Sequence, residues 1–434
     1  MNSITDIETK EFEESVDCWI LQSLTANVTD FDQLITSLPG VYPSIVLASL
    51  QRLVSSKRIS RRVIDKILKT INRKIDKTIS LEHHIPLPVP HPLDYDWRFS
   101  DVAVKDLLNQ CKQLTSLDGT IVLISTPSLL RMGIEISYPR KLILLEASRT
   151  MNSSLTQIAS KAQVVQCDVM REPLPRISAE VVVADPPWYP EHIHSFLWAA
   201  CQLCQVGGYI LISLPPLGTR PGMKQEWEET LNWAKQIGLT LYRLDETALS
   251  YKTPNFELNV LKAEGFSTIS RKWRRGNLAI FKRTHQIFVP RPKVSYQKEE
   301  WIEVVLNGVR IRVRQQNIES FLEPCLVSIV PDDVLKSVSR RDKRRRLADV
   351  WTSGNRVFAC KGRGILLLIL QALVNNKSPH LAVECALKHS LNHHQMKLIS
   401  QTTNQIINVI EVEQKENLLF EEQWDKKQFS RLAS

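Results

Sequence analysis

From residue 118 onward, short runs rich in β-branched residues recur between segments with helical spacing. Parallel strands need crossovers of about a dozen residues, usually a helix, so this alternation points to βαβ units with both sheet faces covered. The strand candidates are 120–124, 141–145, 163–166, 179–184, 209–213 and 239–244, then an antiparallel one at 277–282. The expected fold class is α/β, with a Rossmann-like sheet over residues 101–290.

The flanking segments read differently. Residues 31–53 show a helix, a Pro39-Gly40 break, a short second element, then a helix carrying Ile45, Leu47, Leu50 and Leu53, followed at once by Arg52, Lys57, Arg58, Arg61 and Arg62. This suggests a helical, winged-helix domain over 1–84, whose cations face either a nucleic-acid backbone or solvent. The stretch IPLPVPHPL within 85–100 favours extended chain and reads as a Pro-rich linker. Residues 291–363 form a mixed segment with strands at 301–306 and 309–313 and a basic run from Arg340 to Arg346; residues 364–434 are helical. The C-terminal region is thus mixed and mainly helical.

At 434 residues the chain is long enough for about three such units. Its 56 Lys and Arg against 46 Asp and Glu give a net charge of +10, which leans toward a polyanionic partner, DNA or RNA. The eight cysteines are scattered, mostly in apolar runs, and read as reduced thiols of a cytoplasmic protein. Cys201 and Cys204 form a close pair without a zinc-spaced partner, so no metal site is expected. The opening MNSITDIETKEFEES does not read as a signal peptide, and the apolar run 365–373 is too short to span a bilayer, so no membrane partner is expected. A homodimer is left open.

The chemistry concentrates at Asp185-Pro186-Pro187-Trp188-Tyr189, placed after the 179–184 strand, where open α/β sheets put their ligands. An amine attacking a sulfonium carbon must keep its lone pair free while its hydrogens are held by acceptors. Asp185 supplies a carboxylate. Pro186 supplies a carbonyl kept extended by the following proline. Trp188 or Tyr189 offers a flat face on which a base could stack for about 1–3 kcal/mol. Positioning supplies most of such catalysis, so neither a general base nor a metal is required. The alternative is a structural turn ending a strand.

In these residues the chain resembles the class I S-adenosylmethionine-dependent methyltransferases, of the amino-methyltransferase type with an Asp-Pro-Pro-Trp motif. Its layout is similar to that of the branched-chain polyamine synthases. Supporting stretches are His91-Pro92-Leu93-Asp94-Tyr95-Asp96-Trp97-Arg98-Phe99 and Asp168-Val169-Met170-Arg171-Glu172-Pro173-Leu174-Pro175. The likeness covers residues 30–285. It implies S-adenosyl-L-methionine, or decarboxylated S-adenosylmethionine in the polyamine alternative, as the cofactor. Glu146, about 20 residues beyond Ser125, looks like the acid that takes the ribose hydroxyls, and Asp168 like the residue that meets the adenine. At the first loop the chain departs from the pattern: Ser125-Thr126-Pro127-Ser128-Leu129 has no glycine before Gly133. Hydroxyls at Ser125, Thr126 and Ser128 are left to hold the methionine end. The acidic cluster of the polyamine synthases is missing there, which counts against a polycationic substrate.

Other features carry two readings each. The loop Leu214 to Gly222 frames a substrate or is an ordinary connection, and His192 and His194 open a helix rather than bind metal. Arg271, Lys272, Arg274 and Arg275 around Trp273, and Arg344, Arg345 and Arg346 in the basic run, contact nucleic acid or form solvated faces. The expected activity is therefore methylation of an amino nitrogen, with a nucleic-acid base as its carrier. The alternatives are aminopropyl transfer to a small polyamine, and an inactive nucleic-acid-binding or scaffold protein on the same fold.

Overall fold

In the computed structural model, which describes residues 6–68, 85–157, 163–266, 273–294 and 300–429, the N-terminal unit is built from α1 (Asp6–Thr25), α2 (Phe31–Ser37), α3 (Pro43–Ser55) and α4 (Arg61–Leu68). Phe12, Val16 and Ile20 on α1 and Val46, Leu50 and Leu53 on α3 recur at helical spacing and are buried together. Asp30 caps α2 by accepting from Gln33 N–H, and Pro43 opens α3, where its missing N–H costs nothing. A winged helix was the expectation. Among the described residues this unit has no strand, and residues 69–84 lie outside them. Leu261, Phe266 and Trp273 of the central unit join the same core.

The chain then runs through β1 (Arg98–Phe99), α5 (Asp101–Leu114), β2 (Thr120–Ile124), α6 (Pro127–Glu135), β3 (Lys141–Glu146), α7 (Arg149–Thr156), β4 (Gln163–Gln166) and β5 (Ala179–Ala184). It continues with α8 (Pro190–Leu203), β6 (Cys204–Leu214), α9 (Met223–Gln236), β7 (Leu239–Lys252), α10 (Asn255–Ala263) and β8 (Arg275–Arg283). The sheet order is β1-β7-β8-β6-β5-β2-β3-β4. With β2 as the first strand, β4, β3, β2, β5, β6 and β7 follow the doubly wound order 3-2-1-4-5-6. β8 is inserted between the last two and runs antiparallel to both. Strand periodicity explains the two cores: Val122, Ile124, Val182 and Ala184 face α8 and α9, while Ile121, Leu123, Val181 and Val183 face α5, α6 and α7.

The last part is an antiparallel sheet of order β11-β13-β12-β10-β9, made of β9 (Trp301–Leu306), β10 (Val309–Arg314), β11 (Val327–Ser328), β12 (Val350–Thr352) and β13 (Val357–Ala359). Three helices follow, α11 (Arg363–Val374), α12 (Pro379–Leu387) and α13 (His393–Phe429). On α13, Ile399, Ile406 and Ile410 form a buried stripe against the sheet. Buried Glu413 accepts from Gly354 N–H at 2.9 Å and so pins that helix to the β12–β13 turn. No helix of the described residues is long and apolar enough to cross a membrane.

The Pro-rich segment, expected as a linker, has no helix or strand over residues 85–91 and is pinned at several points. Arg98 donates to Pro88 O (2.6 Å), Arg310 to Val89 O (2.9 Å), and the buried His91 ring accepts from Leu93 N–H through Nδ1 while Nε2 meets Trp351 O at 3.2 Å. Burial, with Arg312 and Arg310 nearby, pushes His91 well below its usual range, so it stays neutral.

Candidate functional site

The strand order reverses between β2 and β5, so the connections after them diverge and leave a crevice at their carboxyl ends. Asp185 N–H still donates to Ile124 O (3.3 Å). Pro186 and Pro187 then carry the chain out of the sheet, and Tyr189 N–H closes a tight turn onto Pro187 O at 2.7 Å. The turn thus uses the Pro187 carbonyl and not that of Pro186. Pro190 occupies the first turn of α8, where proline is tolerated.

Around Asp185 lies a directed chain of hydrogen bonds. Trp188 Nε1–H, a donor only, gives to Ser213 Oγ (3.2 Å). Ser213 Oγ is 2.5 Å from Tyr251 Oη, and the Tyr251 hydroxyl donates to Asp185 Oδ1 at 2.7 Å. Burial pushes Asp185 up to about 7 against the opposing pull of the Tyr251 hydrogen bond and the Arg274 charge. Gly276 on β8 makes the packing possible: a Cβ there would lie 2.9 Å from Trp188 Cζ2 and 3.1 Å from Ser213 Oγ.

The two aromatic residues of the motif differ in setting. Trp188 is buried, and the Arg274 guanidinium carbon lies 4.1 Å from its ring centroid. Tyr189 is reached from the C-terminal unit. Arg340 N–H donates to its hydroxyl (3.0 Å), the Arg340 guanidinium lies 4.9 Å above its ring, and the same side chain pairs with Glu191. Arg341 pairs with Glu226 at 3.5 Å. The start of the basic run, Arg340 and Arg341, is therefore packed against the motif and α9.

On the opposite side, Ser125 holds φ +53°, the left-handed conformation usually given to glycine, and its N–H donates to Leu145 O at 3.0 Å. Pro127 enters the first turn of α6, where its missing N–H is one that needs no partner. Thr126, at the cap of that helix, is buried, and its Oγ1 has no hydrogen-bond partner among the described residues. Glu146 ends β3 nearly buried. Its Oε1 accepts from Ser148 N–H (2.8 Å), and burial, with the Asp96 and Asp94 carboxylates adding, pushes it up to about 7. Asp168 follows β4 and turns its Oδ1 to Met170 N–H at 3.1 Å.

The Asp96 charge works to raise both Glu146 and Asp185, and that of Asp94 works to raise Glu146. Asp96 is held by Arg98 at 2.6 Å. Asp94 is gripped by Arg310 and Arg312, each at 2.6 Å, and both arginines also pair with Glu303. Glu303 in turn accepts from the Thr150 hydroxyl on α7. The C-terminal sheet is thus locked to the loop that leads into β1 and to α7.

These contacts place the sequence-stated residues in two groups. Ser125, Thr126, Glu146 and Asp168 follow β2, β3 and β4, while Asp185, Pro186, Trp188 and Tyr189 follow β5. The basic candidates are spread out. Arg274 is half-buried between Trp97 and Trp188, Arg275 Nη1 meets Thr247 O at 3.4 Å, Arg344 pairs with Asp342 at 2.6 Å, Arg345 stacks on Trp351 at 4.6 Å, and Arg346 is exposed. Arg271 and Lys272 lie outside the described residues. His192 and His194 sit in the first turn of α8, and the Leu214–Gly222 loop packs on the N-terminal unit through Gly218 N–H to Pro39 O, 2.9 Å.

The sheet order, the reversed strand inserted between the last two parallel ones and the strand-end positions decide the architecture. The fold is that of the class I methyltransferases. No family model matches the chain, and no curated protein matches it significantly. Among solved structures, a branched-chain polyamine synthase mutein from Thermus thermophilus, in complex with N4-aminopropylspermidine and 5'-methylthioadenosine, is similar at 10% identity. It covers 67% of this chain and 95% of that one, with a TM-score of 0.49. A TehB-like SAM-dependent methyltransferase from Corynebacterium glutamicum is 11% identical over 43% of this chain and 90% of that one, at 0.31. The fibrillarin pre-rRNA processing protein of Methanococcus jannaschii is 12% identical over 39% and 69%, at 0.28.

Sequence reasoning missed Ser213 and Tyr251, which support Asp185 from β6 and β7, and the Asp94–Arg310–Glu303–Arg312 network. The alternating Arg310, Arg312 and Arg314 on β10 carried a signal: their face is packed rather than solvated.

Proposed function

We propose that this chain transfers an alkyl group from an S-adenosylmethionine-type sulfonium to an uncharged amino nitrogen seated at Asp185, and that a nucleic-acid base carries that nitrogen. The observation that supports it is the Asp185 carboxylate at the end of β5, held from behind by Tyr251 and Ser213. The side chains facing the crevice fit the sulfonium cofactor. Thr126 offers a buried hydroxyl without a partner among the described residues at the start of α6, Ser125 keeps the glycine-like turn, and Glu146 and Asp168 follow β3 and β4 in the order that ribose and adenine require. When bound, the cofactor supplies an electrophilic carbon next to a good leaving group.

The protein's own share is positioning and charge. One Asp185 oxygen accepts from Tyr251, which fixes the carboxylate plane, and the carboxylate accepts an N–H of the incoming amine together with the Pro186 carbonyl. As the nitrogen forms its new bond it becomes cationic and must lose a proton; Asp185, pushed to about 7, is matched to receive it near neutral pH. The Tyr189 face, now shared with Arg340, is where a flat base stacks.

A second reading, a binding or scaffold protein on a transferase fold, is favoured by Arg340 and Arg274 lying over the two aromatic faces. Transfer of a tritiated methyl group from S-adenosyl-L-methionine into total RNA and DNA separates the two. The transferase reading expects incorporation that falls roughly 100-fold or more in Asp185→Ala with cofactor affinity retained. Equal incorporation by the variant refutes the role of that carboxylate, and none by the wild type favours the scaffold.

A further inference from the structure

The most unusual group beside the crevice is a cation. The Arg274 guanidinium lies between two indoles, 4.3 Å from the Trp97 centroid and 4.1 Å from that of Trp188. Its Nε is buried and has no hydrogen-bond partner among the described residues. Trp97 is held edge-on by Tyr251, Phe256 and Trp273, at 6.4, 6.3 and 6.0 Å, so this sandwich is built by several separate elements. Two carboxylates feel the charge, Glu257 most strongly, then Asp185. Glu257 is buried, accepts from the Tyr42 hydroxyl at 2.8 Å, and keeps its second oxygen without a partner among the described residues.

A pair of aromatic faces flanked by two carboxylates is the environment a protonated amine seeks. Here the chain fills it with its own guanidinium. A polycation approaching Asp185 finds the aromatic faces occupied and a fixed like charge beside the carboxylate, whereas a neutral amine meets neither penalty. A phosphate attached to a neutral amine gains from the same charge. We infer that Arg274 is a specificity-determining residue that bars polycationic amines from Asp185 and reserves the site for an uncharged amino group. This rests on the reading of Asp185 as the amine's seat.

The inference predicts a gain of binding. Removing the guanidinium leaves an open sandwich of two indoles within the field of Glu257 and Asp185, so Arg274→Gln becomes a polyamine site. The test is titration of the full chain with spermidine, followed by tryptophan emission, without cofactor. The wild type is expected to show no saturable change below about 1 mM, and Arg274→Gln an affinity at least roughly tenfold higher. Arg274→Lys keeps the charge and should behave as the wild type. Equal spermidine affinity in wild type and Arg274→Gln overturns the inference. If Arg274→Gln does not fold, saturable binding to the wild type that Asp185→Asn removes overturns it equally. Tight binding by Arg274→Gln that persists in the Arg274→Gln, Asp185→Asn double variant places the cation away from Asp185, and overturns the underlying assignment of the amine's seat rather than the role of the cage.

Discussion

Arg310→Met should loosen the C-terminal sheet from the loop that leads into β1 by a calculable amount. The Arg310 side chain is 2% exposed and bonds Asp94 (2.6 Å), Glu303 (2.9 Å) and Val89 O (2.9 Å). Removing one partner of a buried ion pair costs about 3–5 kcal/mol, because the remaining charge is stranded. Here Arg312 stays at 2.6 Å from both acids, and the acids are 21% and 15% exposed, so the expected loss falls to about 2–3 kcal/mol. Urea unfolding, followed by the emission of Trp301 and Trp351 alongside backbone circular dichroism, reads it. The chain has several cores, so the docking transition is fitted separately. A double-mutant cycle with Asp94→Asn should return a coupling above about 1 kcal/mol. A loss below about 0.5 kcal/mol, or additive variants, would refute the idea that this network locks the sheet to the loop.

Further expectations concern the crevice and the basic run. Burial works to raise Asp94, but Arg312 and Arg310 overcome it and hold the acid below the usual carboxylate range. Its contribution is therefore present above about pH 4 and lost as pH falls below that, so acid titration should release the C-terminal sheet earlier in Arg310→Met than in the wild type. Asp185 is shifted the other way, to about 7, so the methyl-transfer rate should rise with pH through about 7 and level off; a rate flat from pH 5 to 9 would exclude a required carboxylate. Gly276→Ala drives a methyl against Trp188 and Ser213, with an expected stability loss of about 1–3 kcal/mol in thermal unfolding. Arg346→Ala should lower the log–log salt slope of RNA or DNA binding by about 1, while Arg345→Ala should lower stability instead, since Arg345 packs on Trp351 and Arg346 faces solvent.

Much of the central sheet was legible. The predicted spans 120–124, 163–166 and 179–184 coincide with β2, β4 and β5: β2 and β5 are buried on both faces, and at the sheet edge β4 keeps only Val164 and Val165 half-buried between exposed glutamines, so each pattern is local. Strand ends were harder. β6 starts at Cys204 and not at 209, since Gly207 at φ +88° interrupts the pattern while the backbone continues to pair past an irregularity at Ala179/Val181. β7 runs on to Lys252, past the expected end at 244, through another irregularity with Thr247 at φ +51°. Asp185 could be found because its motif is contiguous. Its supports could not: Ser213 and Tyr251 come from distant strands, and register alone brings them together. Arg274 and Arg345 were read as surface charges because a basic run carries no mark of which cations turn inward. That choice is made by aromatic partners elsewhere in the chain, Trp97 and Trp351.

The central claim, that the crevice after β2, β3, β4 and β5 holds a sulfonium cofactor, is tested most directly by calorimetric titration of the full chain with S-adenosyl-L-methionine and with its decarboxylated form. One of the two should bind with one-to-one stoichiometry. Glu146→Ala should weaken that binding by roughly tenfold, the worth of about one buried hydrogen bond, and Asp185→Ala should leave it nearly unchanged. Folded wild-type protein that gives no heat with either ligand, or a Glu146→Ala variant that binds as tightly as the wild type, would contradict the account.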